Sequence, residues 1–273
     1  DNLEFIGAWT RNQEVLSSLC NDISIREYGS KEEMLSDRDV DTIILCTPTG
    51  MHPENGLEVI NYGKNLWCEK SLFLGPREDT DTISWEDFAD VISEKDVEVC
   101  EMFMFLYHPQ FITLKSQIKS GEFGEVFSMS ASFCIPHLDK SNIRYNPNLG
   151  GGAILDTGCY PIAATRAIFG EDYSELWSSL HFDPDYSVDT RGSAILKYES
   201  GPTVFLEWGF GMTYSNEIRF RCEKGNIIVN RAFSKPEDLV TSIEIIDSIG
   251  NSRKIAIKPS NHLVILGLRL TND

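Results

Sequence analysis

The sequence predicts an α/β protein built from a doubly wound parallel sheet followed by an α+β part with an open, mostly antiparallel sheet. In the first part, short apolar runs alternate with helical segments at close spacing, which is the pattern of a parallel sheet with right-handed crossovers. In the second part, strand-like segments separated by turn signals dominate after residue 170. The length of 273 residues accommodates two ordinary domains. We therefore predict domains at 1–105 and 106–273.

The first part is expected to begin with a strand, and helices are expected between its strands. Thr10 or Asn12 can cap the first helix, and Ser30 with Glu33 forms a capping-box pattern at the second. A third helix is expected over 52–62, and Ser84 opens a fourth. The expected strands or extended segments are 3–9, 23–28, 40–47, 65–69 and 97–104.

The second part is expected to contain two helices, over 109–120 and 154–169, and a polar loop over 137–149. Its strands are recognised by alternating apolar residues and by hairpin turns at 199–202 and 223–226. The expected strands are 125–133, 193–198, 203–209, 217–222, 225–229, 242–246 and 254–257.

Composition excludes several classes of function. A net charge of −18 opposes binding to a nucleic-acid backbone, and no apolar run approaches the ~20 residues of a membrane span. The seven cysteines include no C-x-x-C pair, so reduced thiols in a cytoplasmic protein are expected. Five dispersed histidines without ligand spacing argue against a metal site.

Polar residues follow three of the predicted strands, at the carboxyl ends where ligands bind in parallel sheets. These segments are Thr10-Arg11, Thr47-Pro48-Thr49 and Glu69-Lys70. A partly desolvated Lys70 could protonate or hydrogen-bond a carbonyl oxygen. The alternative is a solvated surface lysine, which is the more common situation for a single lysine.

Asp156 and Tyr160 are four residues apart after a triple glycine, a spacing that places two side chains on one helix face. A tyrosine can give a proton to an alkoxide, and a carboxylate can hold a substrate hydroxyl. The alternative is a capping aspartate with a half-buried tyrosine. Each glycine costs about 1 kcal/mol relative to Ala in a helix, so Gly150-Gly151-Gly152 indicates close backbone approach to a ligand or to a neighbouring strand.

Thr10-Arg11 bears on cofactor choice. In a dinucleotide-binding unit, an acid at the end of the second strand favours NAD, whereas an arginine accommodates the 2′-phosphate of NADP. The first predicted strand of this chain is expected to correspond to that second strand, and it ends in Trp-Thr-Arg without an acid. This ending favours NADP if a dinucleotide binds. An exposed arginine in a turn is the alternative.

Four motifs, in order along the chain, resemble those of the glucose–fructose oxidoreductase/inositol dehydrogenase/MocA (Gfo/Idh/MocA) oxidoreductases. Cys46-Thr47-Pro48-Thr49 with His52 resembles the Thr-Pro segment and helix histidine of that family. Cys68-Glu69-Lys70 resembles its Glu-Lys-Pro motif, and Gly121–Val126 its step into the second domain. Gly150–Tyr160 resembles its Gly-Gly-Gly…Asp-x-Gly-x-(His or Tyr) motif, in the tyrosine form of the branch with dihydrodiol dehydrogenases.

The resemblance implies a Rossmann-like first domain and hydride transfer between NADP, with NAD as a second possibility, and a secondary alcohol or ketone of a sugar, polyol or dihydrodiol. Lys70, Asp156 and Tyr160 would be catalytic, with Tyr160 as acid/base. The relatives also suggest a homo-oligomer formed through the second sheet, where Val204, Leu206 and Trp208 alternate. The residues expected at the cofactor are Thr10, Arg11, Thr47, Pro48, Thr49, His52, Glu69 and Lys70.

The sequence departs from the family pattern in several places. Ser71 replaces the proline of the Glu-Lys-Pro motif, and Leu106 stands where an arginine is frequent. No G-x-G-x-x-G turn is present, so the first βα unit is expected to be missing, and a further helix after residue 264 is expected to be missing as well. A catalytically inactive member that acts as a binding or regulatory protein is therefore the competing hypothesis.

Overall fold

The computed structural model describes residues 3–75, 83–199 and 201–261, and the chain divides into two compact units between Met102 and Phe103. The predicted hairpin turn at 199–202 includes Ser200, which lies outside the described residues, as does the segment from His262 onward. No helix in the described part of the chain is long and apolar enough to cross a membrane.

The first unit has the predicted alternation of strands and helices. Two short strands pair in parallel, and three further strands form a second parallel sheet in the order β3-β4-β5. The elements are β1 Gly7–Ala8, α1 Gln13–Ile23, β2 Arg26–Glu27, α2 Lys31–Ser36, β3 Thr42–Leu45, α3 His52–Asn61, β4 Asn65–Cys68, α4 Trp85–Lys95 and β5 Val99–Glu101.

Side-chain caps begin these helices much as the sequence predicts. Asn12 caps α1 by accepting a hydrogen bond from the Val15 N–H, and Ser84 forms a complete capping box with Asp87. The predicted capping box at α2 is wrong in one half. The Ser30 side chain accepts a hydrogen bond from the Glu33 N–H, as predicted. The Glu33 carboxylate, however, accepts from the N–H of Gly29, the residue before the cap, and not from that of Ser30.

Several strands of the first unit are shorter than predicted. The expected strand at 3–9 is reduced to β1, whose ladder partner β2 is itself only two residues long. The expected strand at 97–104 ends at Glu101, and the chain then enters a 3₁₀ turn over Met104–Tyr107. Apolar residues continue through this turn because Phe105 is buried in the core of the second unit, so an apolar run alone does not mark the end of a strand.

The second unit contains the predicted open sheet, with eight strands in the order β13-β12-β11-β10-β6-β9-β8-β7. All neighbouring pairs are antiparallel except β6 and β9, which confirms the predicted fold class. The elements are α5 Pro109–Lys119, β6 Val126–Ile135, α6 Cys159–Phe169, β7 Tyr173–Phe182, β8 Asp189–Tyr198, β9 Thr203–Phe210, β10 Ser215–Cys222, β11 Gly225–Asn230, β12 Thr241–Asp247 and β13 Ser252–Ile257.

Strand β7 is the one ten-residue strand that the sequence does not reveal. Every residue of β7 is exposed, and β7 lies at one edge of the sheet. A half-buried strand alternates apolar and polar residues, and a strand exposed on both faces has no reason to do so. The periodicity that reveals the other strands is therefore absent here.

The predicted helix at 154–169 begins as a π-helical turn over Ile154–Gly158, and regular α-helix starts only at Cys159. The Cys159 N–H bonds to the Ile154 carbonyl five residues earlier. One extra residue in a turn rotates what precedes it by about 100° relative to α6. The four residues from Asp156 to Tyr160 therefore run through a π-helical turn rather than regular α-helix, and the placement of the two side chains on one face stays a prediction.

Trp208 fixes α6 against the sheet. Its indole is 2% exposed and lies between two glycines, Gly158 on the π-helical turn and Gly192 on β8. A Cβ on Gly158 or Gly192 would lie 2.9 Å and 2.5 Å, respectively, from the nearest indole atom. Trp208 therefore packs in the core, as do Val204 and Leu206. The prediction that these three residues lie at an oligomer interface is wrong, because they are on the covered face of the sheet.

Candidate active site

The first unit brings three of the predicted site residues to the carboxyl edge of β3 and β4. Thr47 follows β3, and Glu69 and Lys70 follow β4, whose register with β3 pairs Cys68 with Leu45. The Glu69 N–H extends this pairing by donating to the Leu45 carbonyl at 2.9 Å. Both Glu69 and Lys70 are half-buried.

His52 joins the two segments that follow these strands. Its ring is 1% exposed, with Nε2 2.6 Å from the Thr47 carbonyl oxygen and Nδ1 2.9 Å from the Ser71 carbonyl oxygen. Thr47 also accepts a hydrogen bond on Oγ1 from the Asn55 amide at 3.4 Å. Pro48 and Thr49 lead into the short 3₁₀ turn, Thr49–Met51, before α3.

The Lys70–Ser71 peptide bond is cis. Ser71 is buried, and the next residue, Leu72, donates its N–H to the Glu101 carboxylate at the end of β5 at 2.8 Å. The backbone around Lys70 is therefore held on one side by α3 and on the other by β5.

Thr10 and Arg11 lie between β1 and α1, directly before the capping Asn12. Arg11 is exposed, and Thr10 is half-buried with its carbonyl facing the Gln13 amide. An exposed guanidinium at the start of a helix suits a phosphate group, because the first N–H groups of the helix also carry partial positive charge.

In the second unit, the triple glycine packs its backbone against protein. Gly150 and Gly152 have positive φ, +74° and +124°, a conformation that favours glycine. A Cβ on Gly151 would lie 2.6 Å from the Arg144 carbonyl oxygen, and one on Gly152 would lie 2.2 Å from a carboxylate oxygen of Asp189. The close approach predicted from the sequence is thus made to a loop and a strand of this unit.

Asp189 anchors the start of the π-helical turn. Its side chain, on β8, accepts the Ile154 N–H at 2.8 Å and also binds the Ala153 backbone. Burial raises the pKa of this carboxyl above its usual 3.8, although the hydrogen bonds from the backbone act in the opposite direction. Asp189 thereby holds two of the N–H groups that a helix start leaves unpaired.

Arg144 is the partner of Asp156. The Arg144 Nε–H donates to Asp156 Oδ2 at 2.7 Å, and the Arg144 carbonyl accepts the Gly152 N–H at 2.9 Å. The Asp156 side chain is only 19% exposed, compared with 42% for Arg144. The pair therefore fixes the orientation of a carboxylate that still reaches the surface of the unit.

The ring of Tyr160 lies in an aromatic cluster at the start of α6. Its four neighbours have ring centroids between 5.2 and 5.9 Å away; they are Phe103, Phe105, Phe133 and Phe233. All four rings come from outside α6 and its flanking loops, so the orientation of the phenol is set by packing from several elements.

Sequence reasoning missed two of these residues. Arg144 lies in the polar loop, where no local pattern distinguishes it, and its pairing with Asp156 depends on how the loop folds back. Asp189 lies before the strand expected at 193–198, and no local motif distinguishes it. The described residues contain no group of three or more His, Cys, Asp or Glu side chains arranged to hold a metal.

Both units of the chain match models of known protein families. Residues 1–99 match the model of the oxidoreductase family with an NAD-binding Rossmann fold, and residues 111–228 match the Gfo/Idh/MocA C-terminal domain. The chain belongs to the Gfo/Idh/MocA family. The resemblance inferred from four motifs is thereby confirmed.

Among the Gfo/Idh/MocA relatives is dTDP-3,4-didehydro-2,6-dideoxy-alpha-D-glucose 3-reductase from Actinomadura kijaniata, 34% identical over 74% of this chain and 59% of that protein. Trans-1,2-dihydrobenzene-1,2-diol dehydrogenase from Xenopus tropicalis is 27% identical over 86% and 68%. The crystal structure of KijD10, a 3-ketoreductase from A. kijaniata in complex with NADP and TDP-benzene, superposes with a TM-score of 0.87 at 26% identity, covering 98% of this chain and 80% of that one.

This Gfo/Idh/MocA chain spans about three-fifths of the length of the first curated relatives that it matches, 59% and 63%. The family binds NAD or NADP, and solved relatives hold NADP. The first unit fits such a cofactor in kind, with polar backbone and hydroxyl groups at the carboxyl ends of β3 and β4 and an exposed arginine after β1.

Asp189→Asn should destabilise the second unit by about 1–3 kcal/mol, because the amide cannot reproduce a carboxylate that accepts more than one N–H. The folded Asp189 keeps its proton to a higher pH than the unfolded one. Between the unfolded pKa of about 3.8 and the raised folded pKa, folding therefore takes up a proton. The contribution of Asp189 to the free energy of unfolding accordingly falls as pH rises through this range. The stability gap between wild type and variant should narrow over the same range.

Urea unfolding at a series of pH values measures this gap. Asp185→Asn is the matched control, since Asp185 is 70% exposed and pairs only with the exposed Lys140, an interaction worth little. A gap that widens with pH would contradict the assignment of Asp189 as a buried carboxyl with a raised pKa.

Proposed function

We propose that the protein is an NADP-dependent oxidoreductase that moves a hydride between the nicotinamide and a secondary alcohol or ketone of a sugar, polyol or dihydrodiol. The observation that carries this proposal is the Asp156 carboxylate, which Arg144 holds in the π-helical turn before α6, four residues before Tyr160 within the motif of a sugar oxidoreductase family. The named relatives, which act on a keto-sugar nucleotide and on a dihydrodiol, support the choice of substrate class.

In this proposal, Lys70, Asp156 and Tyr160 act on one substrate. Bound NADPH supplies the hydride for reduction, and NADP accepts it in the reverse direction. Tyr160 gives its phenolic proton to the alkoxide oxygen that develops as a ketone is reduced, and it takes the proton back when an alcohol is oxidised. Lys70 donates a hydrogen bond to the same oxygen and favours its negative charge.

Asp156 is proposed to hold a neighbouring hydroxyl of the substrate. Its Oδ2 accepts from Arg144, and a carboxylate offers about four lone-pair sites to hydrogen-bond donors. A substrate with two adjacent oxygens on one ring would satisfy both Asp156 and Tyr160. The ketone and hydroxyl of a sugar, or the two hydroxyls of a dihydrodiol, have this arrangement.

Tyr160→Phe should lower turnover about 100-fold or more, within the range that general acid catalysis contributes. The packing in the aromatic cluster would be kept. Tyr198→Phe is the control, because the Tyr198 hydroxyl donates to the Gly170 carbonyl at 2.9 Å in the same unit. Steady-state assays with NADPH and a panel of keto-sugars and dihydrodiols measure both variants.

Unchanged turnover in Tyr160→Phe would remove Tyr160 as the acid/base. Binding of a sugar without hydride transfer under any of these conditions would instead favour a non-catalytic binding protein.

Arg11→Ala should weaken NADPH binding about tenfold or more and leave NADH binding nearly unchanged, because only NADPH carries the 2′-phosphate that the guanidinium would pair with. Fluorescence titration with each nucleotide measures the two affinities. Arg38→Ala, a change at another exposed arginine of the same unit, is the control. Equal affinity of the wild type for NADH and NADPH would remove this role from Arg11.

We also propose that the protein forms a homo-oligomer through the open face of the second sheet. Trp177, Ile195 and Phe205 are register neighbours on β7, β8 and β9, and they are 56%, 38% and 45% exposed. A continuous apolar stripe of this kind on a sheet is a frequent contact surface between copies.

Trp177→Glu should weaken self-association at least tenfold, since it places a charge in the apolar stripe. Sedimentation equilibrium over a range of protein concentrations measures the association constant. Trp85→Glu is the matched control, because Trp85 is 55% exposed but belongs to the first unit. An equal effect of the two substitutions would argue against the sheet as the interface.

A further inference from the structure

The strongest unexplained group is His52, a buried histidine at the first residue of α3. Each of its ring nitrogens faces a backbone carbonyl oxygen, that of Thr47 at 2.6 Å and that of Ser71 at 2.9 Å. A carbonyl oxygen only accepts hydrogen bonds. Both contacts are therefore hydrogen bonds only when both ring nitrogens carry a hydrogen.

The two carbonyls belong to different segments. Thr47 lies in the turn that leads from β3 to α3, and Ser71 directly follows Lys70 beyond β4. The backbone pairing of β3 with β4 ends where the Glu69 N–H bonds to Leu45. Beyond that point, the His52 side chain contacts both segments.

This geometry also bears on the role that the sequence motif suggested for His52. With Nδ1 and Nε2 both directed at backbone carbonyls, the ring presents neither nitrogen to a bound molecule. A residue of this kind acts by fixing the groups to which it is bonded.

We propose that His52 is a positioning residue that holds the Lys70–Ser71 backbone at a fixed place relative to the turn at Thr47, and so sets the position of the Lys70 ammonium during hydride transfer. The part of this inference that concerns catalysis rests on the proposed function. The link between the two segments stands on the two contacts of the ring nitrogens with backbone carbonyl oxygens alone.

The first test compares His52→Phe, which keeps a ring but has no N–H, with His52→Gln, whose amide nitrogen carries two. We expect kcat to fall about tenfold or more in His52→Phe, with the NADPH dissociation constant changed less than about threefold, and His52→Gln to recover part of the loss. Ile60→Val is the control for lost packing, because Ile60 is fully buried on the same helix; its kcat should match the wild type.

Two results would overturn the proposal. If His52→Phe lowers Tm like Ile60→Val and keeps full kcat, His52 only stabilises the fold. If it raises the NADPH dissociation constant about tenfold with kcat intact, His52 is a cofactor-binding residue.

A double-mutant cycle tests whether His52 acts through Lys70. In a Lys70→Met background, adding His52→Phe should change kcat less than about twofold, because the group that it positions is already absent. A full tenfold loss in that background would show that the two residues act independently and would overturn the proposal.

Amide hydrogen exchange separates failure of this inference from failure of the proposed function, because it needs no activity. His52→Phe should speed exchange at residues 47–51 and 70–72 together, with exchange in the last turn of α3, 58–61, unchanged. Unchanged exchange in both segments would overturn the link itself. Faster exchange in a protein without hydride transfer would support the link and reject the proposed function.

Discussion

The second unit depends on a buried carboxylate bound to two backbone N–H groups. Asp189 on β8 holds the N–H groups at the start of the π-helical turn, and this is possible only because Gly152 has no Cβ to occupy the space of the carboxylate. A buried carboxylate without such partners would be costly. The interaction therefore requires the glycine, the strand and the helix start to be present together.

The orientation of Asp156 follows from this anchor. Once residues 152–154 are fixed on β8, the Arg144 carbonyl accepts the Gly152 N–H and its guanidinium bonds to Asp156. Trp208 completes the support by packing between Gly158 and Gly192. The irregular helix start is thus held by backbone contacts on three sides, which suits a site whose carboxylate must keep one direction.

The first unit uses the same physical device at a different place. The His52 ring and the Glu101 carboxylate both bond to backbone groups next to Lys70. In each unit, a buried polar side chain satisfies backbone groups that regular secondary structure leaves unpaired. In each unit, the residue that is held belongs to one of the family motifs, Lys70 in one unit and Asp156 in the other.

The sequence by itself determined the fold class, the family and most helices and strands, because periodicity, caps and turn residues act over a few neighbouring positions. Motifs in the sequence also led to the prediction that Lys70, Asp156 and Tyr160 are catalytic. Only the tertiary structure revealed three features: the edge strand β7, the π-helical turn, and which face of the sheet is exposed. Burial on each face depends on residues that are distant in sequence. The same holds for the partners of Asp156 and His52: Arg144 and the Ser71 carbonyl lie 12 and 19 residues away along the chain, and only the folded backbone brings them within hydrogen-bond distance.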